Sequence, residues 1–222
     1  MGKSIEKRKE KYSSALLHVV EYSVIPLLAF MLWVIFVPIF LFGGMITSVD
    51  NAQNMQQTVI VFSLPMLLFF AILPVVSQLK RGTEKINLGL KLQKNKKNII
   101  IITVNLCIML LAFSYVFQQI NLSLQEFLPM IIQLIAIGIS EEVLCRGIIY
   151  YEIRNAFDNK IIAIVLSSLI FAFLFHSGDS DMANLIIRFP LGLILATVRC
   201  YTGNVYGSIE MHIWYNTIML IL

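Results

Sequence analysis

Near the middle of the chain the run Ser140-Glu141-Glu142-Val143-Leu144-Cys145-Arg146 puts two carboxylates and a guanidinium inside an otherwise apolar stretch. In a hydrocarbon slab each ionised group costs about 2.5–3.5 kcal/mol on insertion scales. A helix needs none of them to span, so they must be paired or used. Glu142 and Arg146 are four apart, share a helix face and can pair. Glu141 is rotated by about 100° from Glu142, so the two carboxylates cannot both face Arg146. One glutamate is tied down; the other is free to face a cavity, where it can take a proton from water as a general base. His176 ends a Phe-rich run, and Glu210, His212 and Asn216 lie near the C-terminus. His212 and Asn216, four apart, project the same way. Two imidazoles and an amide can hold water or a developing oxyanion, and one such donor is worth about 10²–10³ in rate. Glu141, His176 and His212 also match the composition of a catalytic zinc site. There is no HExxH, so the spacing argues neither for zinc nor against it; no other cofactor is implied.

Each of these residues also has a plain structural reading. Glu142 with Arg146 can be a buried structural pair. A lone intramembrane histidine can join two helices by a hydrogen bond. Glu210 could line the site, or pair with Arg199 or Arg146. Arg188 is expected to snorkel or to meet Asp179 or Asp181. Cys145 reads as a small buried apolar residue rather than an activated thiol.

The elements that must position these groups are membrane helices. The chain has 222 residues, 58% hydrophobic and 14% charged, where soluble domains average about 45–50% and 25%. Mean hydropathy is +0.81. The expected fold class is all-α, a polytopic membrane helix bundle of about seven transmembrane spans: Val24–Ile46, Thr58–Leu79, Asn98–Phe117, Phe127–Tyr151, Ile161–Phe175, Leu185–Val198 and Val205–Leu222. Residues 1–23 form a basic cytoplasmic N-terminal segment with Lys3, Lys7, Arg8, Lys9 and Lys11. Residues 24–222 form a single membrane-embedded domain, with the motifs inside 127–222. The first apolar run is too long for a cleaved signal sequence and reads as a retained anchor. Pro26, Pro38, Pro65, Pro74 and Pro190 lie inside spans and should kink them.

Loop charges give the orientation. Segments 47–57, 118–126 and 176–184 carry no Lys or Arg, whereas 1–11, 80–97, 152–160 and 199–204 hold nearly all the basic residues. This places the N-terminus in the cytoplasm and the C-terminus outside. The net charge of +4 thus reports topology, not a nucleic-acid partner. The Ile- and Lys-rich usage points to a bacterial plasma membrane. The three cysteines form neither a disulfide framework nor a CxxC pair. The expected partners are the lipid bilayer and a membrane protein or peptide substrate; the sequence is silent on oligomeric state.

Glu141-Glu142-x-x-x-Arg146, the Phe-rich run ending in His176, and His212-x-x-x-Asn216 resemble the three motifs of the CPBP intramembrane proteases, which include CAAX-processing and bacteriocin-processing enzymes. Gly192 and Gly203 add to the likeness, which covers roughly residues 80–222. The resemblance implies that Glu141 activates water with Glu142 and Arg146 in support, and that His176, His212 and Asn216 complete the site. Members have been described both as metalloproteases and as glutamate-dependent proteases. The family is linked to cleavage of prenylated proteins, to bacteriocin or pheromone processing and to self-immunity. The chain departs from the pattern at the second motif, usually Phe-x-x-x-His: position 172 is Ala, flanked by Phe171 and Phe173. Two other readings stand beside the protease: a non-enzymatic immunity protein that binds a peptide or receptor, and a small transporter, against which no repeated halves are seen.

Overall fold

The computed structural model describes residues 2–120, 122–178 and 180–222, without the side chains of residues 2–5, 7 and 8. The described residues form seven helices: α1 Gly2–Phe42, α2 Met55–Lys80, α3 Lys96–Ile120, α4 Leu124–Phe157, α5 Lys160–Phe175, α6 Asp181–Thr202 and α7 Tyr206–Ile218. Local chemistry sets their ends. Asn54 accepts from the Gln57 amide at 3.0 Å to start α2. Ser123 and Glu126 form a reciprocal capping box at the head of α4. Asp158, left-handed at φ 51°, stops α4, and Asn159 caps α5 by accepting from the Ile161 amide at 2.8 Å. Gly203, at φ +73°, ends α6. In α2 two stretches with i→i+5 hydrogen bonding, Val59–Ser63 and Leu67–Ile72, flank Pro65. Proline lacks the N–H that the regular ladder needs, and wider turns absorb the fault.

Five helices, α1 to α4 and α6, are long and apolar enough to cross a membrane, and exposed Leu28, Phe40, Leu110 and Leu111 present apolar surface outward. The chain is an integral membrane protein. The fifth and seventh expected spans are shorter. At 1.5 Å per residue α5 runs for about 24 Å and α7 for about 20 Å, against about 30 Å of hydrocarbon. α1 runs through residue 23 and ends at Phe42, four residues before the expected end of the first span. His18, read as part of a tail, instead pins α1 to α4 through a 3.2 Å bond to Glu152.

α7 packs along α3 and α4, and α6 lies between α5 and α7. Leu144, Ile148, Ile149, Phe171 and Leu195 form the centre of the core. The connection 81–95 joins them, because Leu88 is fully buried in the same cluster. Burying one leucine is worth about 1.5–3 kcal/mol. Sequence reading saw only charge in this connection. It is held down by the Tyr206 hydroxyl, which donates to the Leu90 carbonyl at 2.7 Å, and by the Val205 amide, which donates to Gly89 at 3.1 Å.

The approach of α7 to α4 depends on Gly138, where a Cβ would lie 2.5 Å from Cγ1 of Ile213. Gly138→Ala is expected to lower stability by about 1–3 kcal/mol through overpacking. Gly44→Ala, where nothing lies within 4 Å, should leave it unchanged. Thermal unfolding of the two variants in detergent checks this.

Candidate active site

Glu141 and Glu142 stand at the midpoint of α4 and have different surroundings. Glu142 and Arg146 are both fully buried. Arg146 Nη1 lies 3.0 Å from Glu142 Oε1, an ion contact whose angle falls outside hydrogen-bond geometry. Arg146 Nη2 donates to the Gly192 carbonyl at 3.3 Å, and the guanidinium sits 4.3 Å from the centroid of the Phe171 ring. Glycine at 192 makes this possible. A Cβ there would meet Cβ of Ser168 at 3.0 Å and Cδ1 of Phe171 at 3.3 Å, so α6 comes close enough to α5 to offer its carbonyl. The Arg146 carbonyl in turn accepts from Arg199 Nε at 3.1 Å.

Glu142 also fixes His212. Its Oε1 lies 3.0 Å from His212 Nδ1. The Glu142 oxygen that faces Arg146 accepts, so Nδ1 carries the proton and donates it. The lone pair of a neutral His212 is therefore on Nε2, which lies 3.9 Å from Glu141 Oε2. His176 is set the same way by a different partner. Its Nδ1 donates to the Phe171 carbonyl at 3.0 Å, which again leaves the lone pair on Nε2. Asn184, almost fully buried, donates to the main-chain carbonyl of His176 at 3.0 Å.

Glu141 opens onto a cavity of about 500 Å³, lined also by Leu134, Ile137, His176, Arg188, Tyr215 and Asn216. Its side chain is 14% exposed, and its Oε2 has no hydrogen-bond partner. The residues singled out in the sequence thus fall into two layers. Glu141, His176 and Asn216 line the cavity; His212 lies behind Glu141, with Glu142 and Arg146 sealed beneath it. Glu210 is not among the lining residues, and its Oε2 has no partner; the hydrogen bonds of Arg199 go to carbonyls instead. Arg188 lines the cavity, and Asp179, one of its two expected partners, lies outside the described residues. Cys145 is buried, as a structural cysteine should be.

The metal reading has a direct geometric test. Imidazoles with Nδ1 bonded to a carboxylate or carbonyl and Nε2 free are set up as many metal ligands are. Yet among the described residues no three His, Cys, Asp or Glu side chains gather at ligand spacing. The donor set does not fit a metal as placed.

The residue that sequence reading undervalued is Phe171. Its ring packs edge-on against both His176 and His212, with centroids at 4.7 and 5.7 Å. The departure at position 172 has a physical cause. Phe171–Phe175 has i→i+5 hydrogen bonding, so a residue five before the histidine occupies the place that a residue four before would hold in a regular helix. Phe-x-x-x-x-His on a widened helix replaces Phe-x-x-x-His on an α-helix.

Residues 123–218 match the family model described as type II CAAX prenyl endopeptidase, Rce1-like. The likeness is to this segment alone. The match agrees with the resemblance carried by the motifs, and the family is one of peptidases. The Rce1-like segment starts on the N-cap of α4 and stops on the last residue of α7, so it holds every candidate site residue. The first three helices lie outside it. No curated protein and no solved structure gives a significant match to the chain.

Removing one partner of a buried pair strands the other charge. Arg146→Ala should therefore cost about 3–5 kcal/mol and lower the melting temperature sharply. Glu142→Gln combined with Arg146→Met should recover part of the loss. Failure of the double variant to recover any of it would show that other contacts of Arg146 carry the stability.

Proposed function

We propose that this protein is an intramembrane endopeptidase that hydrolyses a peptide bond of a membrane-associated protein or peptide, with Glu141 as the general base. The observation that carries this reading is the division of labour between adjacent carboxylates. Glu142 is paired with Arg146 and fully buried, whereas the Glu141 side chain lines a cavity.

A water on Glu141 gives up a proton as its oxygen attacks the carbonyl carbon of the substrate. The Asn216 amide, on the same cavity, is the side chain suited to donate to the oxyanion that forms. Neutral His176 and His212 each have Nδ1–H committed elsewhere, so they present acceptors. His176 Nε2 is suited to orient the attacking water. His212 Nε2 can accept from Glu141 once that carboxyl is protonated, holding the proton until it passes to the leaving amine. The apolar side of the cavity, with Leu134 and Ile137, suits a hydrophobic segment beside the scissile bond.

Glu141→Gln keeps the shape and removes the base. Turnover is expected to fall by about 10²–10⁴-fold while the protein still inserts, with His212→Ala comparably severe and Asn216→Ala nearer about 10²-fold. Comparing membrane proteomes of cells with wild type and Glu141→Gln should show one uncleaved precursor, which names the substrate. A strong chelator is expected to leave turnover intact; loss that zinc restores would bring His176 and His212 back as ligands. If Glu141→Gln cells keep the full biological effect, a binding or immunity role replaces the protease.

The charge pattern supports a cytoplasmic N-terminus. Lys11, Arg154 and Arg199 line one cavity, Arg81 pairs with Glu21 at 2.7 Å, and Lys97 reaches the Tyr201 carbonyl. Reporter fusions at Asn51 and Lys94 should give opposite signals, with Lys94 cytoplasmic. Identical signals would remove this topology.

A further inference from the structure

Arg199 stands at the opposite end of α6 from the active-site cavity, and among the described residues its charge has no carboxylate counterion. It is 6% exposed. Its Nε donates to the Arg146 carbonyl at 3.1 Å and its Nη2 to the Asn87 carbonyl at 2.9 Å. Both partners are neutral. Its titratable neighbours are Tyr150 and Cys200, and among the described residues no carboxylate pairs with it. A buried cation in that position is costly unless an anion comes to it. Nη1 makes no hydrogen bond among the described residues, and it is not one of the sealed orphan atoms. Arg199 lines a cavity.

That cavity is about 520 Å³ and is lined by Lys11, Gln93, Tyr151, Arg154 and Arg199, among others. Asp158 is the single carboxylate in the lining, and Arg154 Nη1 already occupies it at 2.6 Å. Three cations therefore face one committed carboxylate. The ammonium of Lys11, the amides of Gln93 and Asn155 and the hydroxyl of Tyr151 add neutral and charged donors around the guanidinium. A tetrahedral oxyanion with several acceptor oxygens matches such a set, and guanidinium planes favour phosphate. An adjoining cavity of about 210 Å³ shares Lys11, Tyr151 and Asn155 and also contains Glu152. The larger cavity lies where the basic start of α1 meets the end of α4 and the 81–95 connection, at the basic ends of the helices. Phospholipid headgroups lie at that level in a bilayer.

We infer that the Arg199 cavity binds a phosphate group, supplied by an anionic lipid headgroup or by a soluble phosphate. The site is separate from the proposed hydrolysis, so its test needs no substrate. The full chain, in an uncharged detergent, is melted with dioleoyl phosphatidic acid, with inorganic phosphate, or with dioleoyl phosphatidylcholine as the zwitterionic control; sodium chloride matches the ionic strength. At a hundredfold excess over Kd the bound probe should raise the melting temperature by about 5–10 °C, and phosphatidylcholine and sodium chloride should not. Lys11→Ala and Arg154→Gln, on the cavity rim, should each weaken binding roughly tenfold without moving the ligand-free melting temperature. Arg199→Gln, where it folds, should abolish binding. A shift with phosphatidic acid alone assigns a lipid headgroup; an equal shift with inorganic phosphate assigns a soluble ligand. No shift with either probe, or an undiminished shift in both rim variants, overturns the inference.

Discussion

A guanidinium in the interior of a membrane bundle needs partners, and Arg146 draws them from three helices, although its Nε and Nη1 make no hydrogen bond among the described residues. Glu142 supplies the counter-charge at 3.0 Å, the Gly192 carbonyl takes one nitrogen, and the Phe171 ring covers one face. Each partner comes from a different helix or a different turn. Satisfying one buried charge thus fixes α4, α5 and α6 against each other. The ion pair adds little net stability by itself, since desolvation opposes the Coulomb gain. Its effect is positional: any arrangement that separates the partners leaves a bare charge in apolar surroundings.

The same pair determines the chemistry one residue away. Glu142 shares Oε1 between Arg146 and His212, which fixes the imidazole tautomer and turns Nε2 toward Glu141. Glu141 is left without a cation of its own and with access to the cavity. Two identical side chains in adjacent positions acquire different roles because a helix turns by about 100° per residue. The widened turns at Val143–Ile149 and Phe171–Phe175 adjoin this arrangement. They change which residues share a face, and they put Phe171 against both histidines.

The short helices serve the same end. α5 and α7 are shorter than the hydrocarbon thickness; His176 follows the end of α5, and His212 and Asn216 lie on α7. Long α1 and α3, by contrast, present apolar surface and none of the candidate residues.

Much of this was legible in the residues themselves. Composition and run length determine a helical membrane protein, because backbone groups in lipid must be satisfied within their own segment. The spacing Glu142-x-x-x-Arg146 determines a pair, and the adjacent Glu141 cannot join it. Pairwise spacing on one helix is a local property, so sequence suffices. Only the tertiary structure decided what depends on contacts between helices. That His212 bonds to Glu142, seventy positions away in the chain, follows from how α7 packs on α4 at Gly138. That Phe171 replaces the expected residue at 172 follows from an i→i+5 turn, which no periodicity announced. That Leu88 is core and that Arg199 bonds to the Asn87 carbonyl follows from the 81–95 connection folding inward, where its lysines had suggested only a charged loop. Burial of a side chain and the identity of its partner are set by long-range packing, and a linear pattern records neither.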